Sequence, residues 1–283
     1  MHMLRRLAGL VLLAGLLPAC RQQPADAVPT TAPATMADRP PPHSTRSRST
    51  RLDGFVRARY GNAAGLAHGW HGEVDGQAVD SAVCAEQPVV IGAQVQQLLA
   101  VCHSLSDAGD GTPGMIDFVV LRDDGDAYAV VAEDSGENFG SSGRPGRVDI
   151  LRLGSDFYGF AVTSAWIGQG LLLESQDLVV PGPKGLVKAA WLRRHIDNHG
   201  ALACDDADGA AEHDQDDCRA QGFDVDFVLT VDASDAQARS WPLTIRERGT
   251  ACGAPVAATH VLRFDVRSWT YPIPDTLQRE GCS

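Results

Sequence analysis

The chain has 283 residues, with 24 Lys and Arg against 36 Asp and Glu. Its first 51 residues hold seven Arg and two Asp, so the remaining body carries 17 basic against 34 acidic groups. That surplus of negative charge argues against a nucleic-acid binder, because phosphates require Lys and Arg, and it favours cationic partners through electrostatic steering.

Arg5 and Arg6 precede an apolar run, Leu7 to Leu17. The run is much shorter than the roughly 20 residues a helix needs to span a bilayer. Positive charge, a short apolar stretch and small residues are the pattern of an export signal. It closes as Leu17-Pro18-Ala19-Cys20. This resembles the bacterial lipobox, in which a cysteine is lipidated and becomes the mature N-terminus. Pro18 departs from the usual Ala or Ser, and the resemblance covers the first 20 residues alone. It implies a signal over 1–19, lipidation of Cys20 and a bilayer anchor facing the periplasm. In a Gram-negative host, Arg21 after the cysteine resembles an outer-membrane sorting signal. An ordinary secretory signal with an incidental cysteine is the alternative.

Residues 20–51 then read as a spacer. Pro, Thr, Ser, Ala and Arg dominate, including Pro40-Pro41-Pro42, and no hydrophobic period is present, which predicts a disordered, partly extended spacer. Such a segment buries too little apolar surface to offset its ordering entropy. Arg46, Arg48 and Arg51 make its end basic, suited to anionic lipid or cell wall, or simply solvated.

Residues 52–283 form the expected periplasmic domain. With Cys20 lipidated, Cys84, Cys102, Cys204, Cys218, Cys252 and Cys282 remain, an even set that suits disulfides in an exported body. Pairing each with its sequence neighbour closes the shortest loops. No C-x-x-C is present, which argues against a thiol–disulfide enzyme or zinc ribbon.

The body reads as β. Residues 116–122 and 127–133 flank Asp123-Asp124-Gly125-Asp126, residues 148–153 and 157–167 flank Gly154-Ser155-Asp156, and residues 178–180 and 186–197 flank Pro181-Gly182-Pro183-Lys184-Gly185. Each predicts a hairpin. Residues 186–197 also suit a helix, and 89–103 fits either strand or helix. Phe223 to Val231 alternates cleanly, residues 243–248 and 260–264 are further strands, and 274–279 suits a short helical turn. Within 157–167, large residues such as Tyr158, Phe160 and Val162 face one way and Gly159, Ala161 and Thr163 the other. The fold class is mainly β with little helix: an antiparallel sandwich, barrel or propeller-like array.

Two stretches carry candidate chemistry. His195, Asp197 and His199 stand at i, i+2 and i+4, so on an extended strand they share one face and suit Zn2+ or another transition metal. An acidic loop between Cys204 and Cys218 includes Asp206, Asp208 and Glu212. Its Asp206-Ala207-Asp208-Gly209 echoes part of a Ca2+ loop, although Cys204 and Gln215 stand at the outer ligand positions. A strand-end turn and a solvated acidic loop are the structural alternatives. Glu133, Asp134 and Glu137 offer paired carboxylates of the kind glycosidases use. His68-Gly69-Trp70-His71 and the Gly-rich 136–143 stretch offer loop positions near a site, and the tryptophans read as core. Motifs for a nucleophile elbow, zincin helix, phosphate loop or dinucleotide fingerprint are missing.

Three functions fit these observations. One is a membrane-anchored, non-catalytic binding lipoprotein, in its sharper form an inhibitor or immunity protein against a cationic cell-envelope hydrolase. The second is a metal-dependent hydrolase built on His195, Asp197 and His199. The third is a structural lipoprotein that binds the cell envelope.

Overall fold

The computed structural model describes residues 45–202, 220–279 and 282. The expected export signal over 1–19, Cys20, Cys204, Asp206, Asp208, Glu212 and Cys218 lie outside the described residues. The body, His43–Ser283, is one compact unit.

Helix α1, Thr45–Tyr60, opens it. This corrects the spacer boundary: residues 45–51 belong to the helix and not to an unstructured leash. The helix forms because Leu52 and Val56, one turn apart, are both buried. Asp53 and Arg57 pair at i,i+4 with a 2.7 Å contact. Arg57 and Arg59 complement the dipole in the last turn, and Gly61 at φ 97° terminates the helix. Arg51 is not directed at lipid: its guanidinium meets Asp123 at 2.6 Å.

Five strands follow as an antiparallel meander: β1 Trp70–Val74, β2 Gln77–Ile91, β3 Gln94–Leu105, β4 Gly114–Asp123 and β5 Tyr128–Phe139. The ambiguous 89–103 stretch is thus the end of β2, a tight turn and β3. The Gly136–Gly143 stretch is not a free loop, since its first four residues complete β5. β4 is buried on both faces, which explains its continuous apolar run. Val119 and Leu121 pack with Leu52 and Val56 of α1. Ile116, Phe118 and Val120 pack towards the second sheet.

The second sheet has eight strands. They are β6 Arg147–Arg152, β7 Tyr158–Gly168, β8 Leu171–Gly182, β9 Gly185–Asp197, β10 Phe223–Val231, β11 Leu243–Ala251, β12 Ala254–Val256 and β13 Thr259–Leu262. Consecutive strands pair from β6 to β12, and β13 pairs with the first half of β11 on the same edge that β12 takes at its end. The three predicted hairpins form, and 186–197 is strand. Gly168-Gln169-Gly170 is the turn joining β7 to a β8 that is longer than its apolar core suggested. The two-faced pattern of β7 is explained by packing: Phe160 and Val162 face the five-stranded sheet. Ala161 faces a further core with Leu178, Val180 and the C-terminal residues Tyr271 and Leu277. A short 3-10 turn, Asp275–Leu277, falls where a helical turn was expected.

Among the described residues, both sheets are open and pack face to face without closing into a barrel. Cys84–Cys102 joins β2 to β3, and Cys252–Cys282 fastens the C-terminus to the β11–β12 turn. Among the described residues, no helix is long and apolar enough to cross a membrane.

Candidate functional site

At one end of the packed sheets, the turn joining β2 to β3, the edge strand β5, the β6–β7 turn, the β8–β9 turn and the C-terminal arm surround a groove of about 1040 Å3. A register shift between Val120 and Leu121 on β4 leaves Val131 as an extra residue on β5. Such a bulge re-aims side chains next to sites. Here Val130 and Val131, 44% and 49% exposed, both line the groove. Val266, 66% exposed, lines it from the C-terminal arm.

Aromatic rings form the other wall. Phe264 lies 5.0 Å from Phe157, 5.5 Å from Trp269 and 5.1 Å from Tyr271, centroid to centroid. These are favourable tilted and edge-on contacts. The Asp265–Thr270 loop holds Trp269 in place. Asp265 accepts from the Arg267 N–H at 2.9 Å and the Ser268 hydroxyl at 3.1 Å, and these bonds hold its carboxyl below the usual range. Trp269 itself adopts φ 62°, which is uncommon for a bulky residue. Gly182 makes the close approach possible, because a Cβ there would lie 2.7 Å from Val187 and 3.1 Å from the indole. Sequence reasoning placed the tryptophans in the core. Trp241 is buried, but Trp191 is 38% exposed and Trp269 lines the groove.

Past the groove along β5 and β9, the sheets enclose a carboxylate cluster. Burial pushes Asp177 on β8 up to about 6 against the opposing pull of Lys188. Asp134 is also raised, by burial and then by the charge of Glu137. Lys188 bonds Glu137 at 2.7 Å and lies 4.9 Å over the Phe139 ring. Asp134 and Glu137, noted in the sequence as a carboxylate pair, therefore meet. Glu133 points elsewhere and bonds Arg59 at 2.8 Å. Raised carboxyls are found at functional sites, but they also follow from burying acids between sheets, and Asp177 carried no local signal of it.

A third polar cluster lies under α1. Ser81 Oγ and His103 Nδ1 are 2.8 Å apart, and His103 Nε2 stands 3.5 Å from Asp117 Oδ2. Tyr60 donates to Asp117 at 2.9 Å and the Gly136 N–H donates at 2.8 Å. Burial pushes Asp117 up, but His103, Gly136 and Tyr60 together outweigh it and hold the carboxyl low. The connectivity is that of a nucleophile, base and acid. Ser81 is only 3% exposed and His103 1%, so a substrate carbonyl does not reach the hydroxyl. Through Tyr60, the cluster ties α1 to residues of four strands, β2 to β5. Nearby, Trp70 is buried and His71 pairs with Asp80, which places the His68–His71 stretch at a strand start.

Of the predicted metal residues, Asp197 and His199 stay together, with His199 Nδ1 3.5 Å from the Asp197 carboxylate, while His195 turns away. β9 ends at Asp197, so the expected shared face stops before His199. His195 turns to Asp226 across the β9–β10 pair at 2.9 Å. Asp197 accepts from the His199 N–H at 2.8 Å, closing the Asn198–Gly200 turn. Among the described residues, no group of three or more His, Cys, Asp or Glu is arranged to hold a metal ion. Comparison with protein-family models, curated proteins and solved structures found no match to this chain.

Proposed function

We propose that this chain is a lipid-anchored envelope protein with a non-catalytic binding role, and that the groove at the sheet ends is its binding site. One observation carries the reading. Exposed valines from the edge strand and the C-terminal arm converge with a packed aromatic wall on a single concavity. Its volume, about 1040 Å3, is that of a small-molecule site, and such sites are mainly apolar with a few polar groups. Convergent exposed apolar side chains mark a binding surface more often than scattered ones do. The lipobox-like Leu17–Cys20 and the even set of body cysteines support the anchor.

The binding test uses the chain from Arg21, without signal or lipid, and the neutral fluorescent probe N-phenyl-1-naphthylamine. Saturable binding that is lost in Val131→Asp and in Trp269→Ala is the expected result. Binding unchanged in both variants would remove the groove as the site. For the anchor, radiolabelled palmitate should enter the full chain and not its Cys20→Ser variant; equal labelling of both would refute lipidation at Cys20.

A further inference from the structure

The charges around the groove run against those of the molecule. The body has twice as many acidic as basic residues, and several of its described cations are tied up in ion pairs. Arg51, Arg57, Arg59, Arg122, Arg147, Lys188 and Arg279 each meet a carboxylate. Lys184 and Arg239 are the cations that line the groove: both are exposed, and neither has an ion-pair partner among the described residues. Lys184 sits at the tip of the β8–β9 turn, between Pro183 and Gly185. Of the acids lining the groove, Glu133 is engaged by Arg59, which leaves Asp156. An apolar trough thus has a rim with a net positive charge on an otherwise acidic body.

We propose that the groove binds a monomeric single-chain amphiphile with an anionic head, in chemical class a fatty carboxylate. The inference rests on the reading of the groove as the binding site. The acyl chain lies between Val131 and the Phe157–Phe264–Trp269 wall, removing apolar surface from water on both sides. The carboxylate is held by Lys184 and Arg239 through charge-assisted hydrogen bonds. Concavity and charge both select a monomer over a bilayer. The groove is walled on two sides, and the acidic body is repelled by an anionic membrane.

The test displaces N-phenyl-1-naphthylamine from the chain beginning at Arg21. Competitors are dodecanoate, dodecanol and dodecyltrimethylammonium, each below its micelle concentration. Dodecanoate should displace best and the quaternary ammonium worst. Lys184→Ala combined with Arg239→Ala should weaken dodecanoate roughly tenfold, the loss of a charge-assisted contact, and leave dodecanol unchanged. Both substitutions are at the surface, and an unchanged near-ultraviolet circular dichroism spectrum verifies the fold. Equal displacement by all three competitors, or an unaltered dodecanoate affinity in the double variant, overturns the head-group assignment while leaving the groove as an apolar site. Probe binding that ignores Val131→Asp overturns the binding reading itself. Co-sedimentation with phosphatidylglycerol vesicles, without displacement by dodecanoate, overturns the monomer in favour of a membrane surface.

Discussion

The indole N–H of Trp269 donates to the carbonyl of Pro181 at 2.8 Å, joining the C-terminal arm to the end of β8. The bond is made by a residue at φ 62°, a backbone conformation that costs of order 1–3 kcal/mol for a bulky side chain. The surrounding loop therefore holds the ring at the groove against its own preference.

Trp269→Phe keeps an aromatic surface and removes the donor. It should lower stability by about 1 kcal/mol and weaken probe binding, measured by urea denaturation and fluorescence titration. Gly182→Ala should weaken binding as well, because the new methyl meets Val187 and the indole. An unchanged affinity in both variants would show that the ring's position does not matter to the groove.

Asp177 has a folded pKa of about 6, above its unfolded value. The folded state therefore holds the proton more tightly, and ionisation destabilises it. The cost is absent below the unfolded pKa, grows between about pH 4 and 6, and is complete above. Asp177→Asn should stabilise the protein at pH 8 by roughly 2 kcal/mol and have little effect at pH 3.5. Denaturation at the two pH values checks both the sign and the window.

Asp117 behaves in the opposite way, since its pKa is lowered in the folded state. Its contribution is present above the unfolded pKa and lost as pH falls through the folded one. Asp117→Asn should cost roughly 2 kcal/mol at neutral pH, through broken contacts to Tyr60, His103 and Gly136. The difference from wild type should shrink below pH 4. A constant difference across pH would assign the loss to packing instead.

The two described disulfides close segments of 18 and 30 residues. In the chain-entropy account each contributes roughly 3–4 kcal/mol. Their effects on the groove should differ. Cys252–Cys282 encloses Phe264 and Trp269, so Cys252→Ala with Cys282→Ala should weaken probe binding. Cys84→Ala with Cys102→Ala should lower the denaturation midpoint with a smaller effect on binding. Titration of both double variants tests the contrast.

Much of the β framework was legible because its signals are local. Asp123–Asp126, Gly154–Asp156 and Pro181–Gly185 are turn sequences whose backbone preferences act over a few residues. Alternation in Phe223–Val231 follows from the strand period. Helix α1 was hidden because Thr45–Arg51 is polar and the helix has few apolar anchors, chiefly Leu52, Phe55 and Val56. Its stability comes from the sheet it covers. His195 and His199 do not share a face because an i+4 spacing does so only while the strand continues, and β9 ends at Asp197 before the Asn198–Gly200 turn.

The sequence alone determined several strands and the turns between them, since these depend on backbone propensity and short-range alternation, and left the pairing of the cysteines open. Only the tertiary structure decided which faces meet. Val131 and Trp269 are 138 positions apart, as are no two residues of a local motif, and they line one groove because an edge-strand bulge and a left-handed backbone position bring them there. Alternation says which side chains share a face of a strand. It carries no information about what that face opposes, which is set by the packing of whole sheets and by the burial that stabilises them.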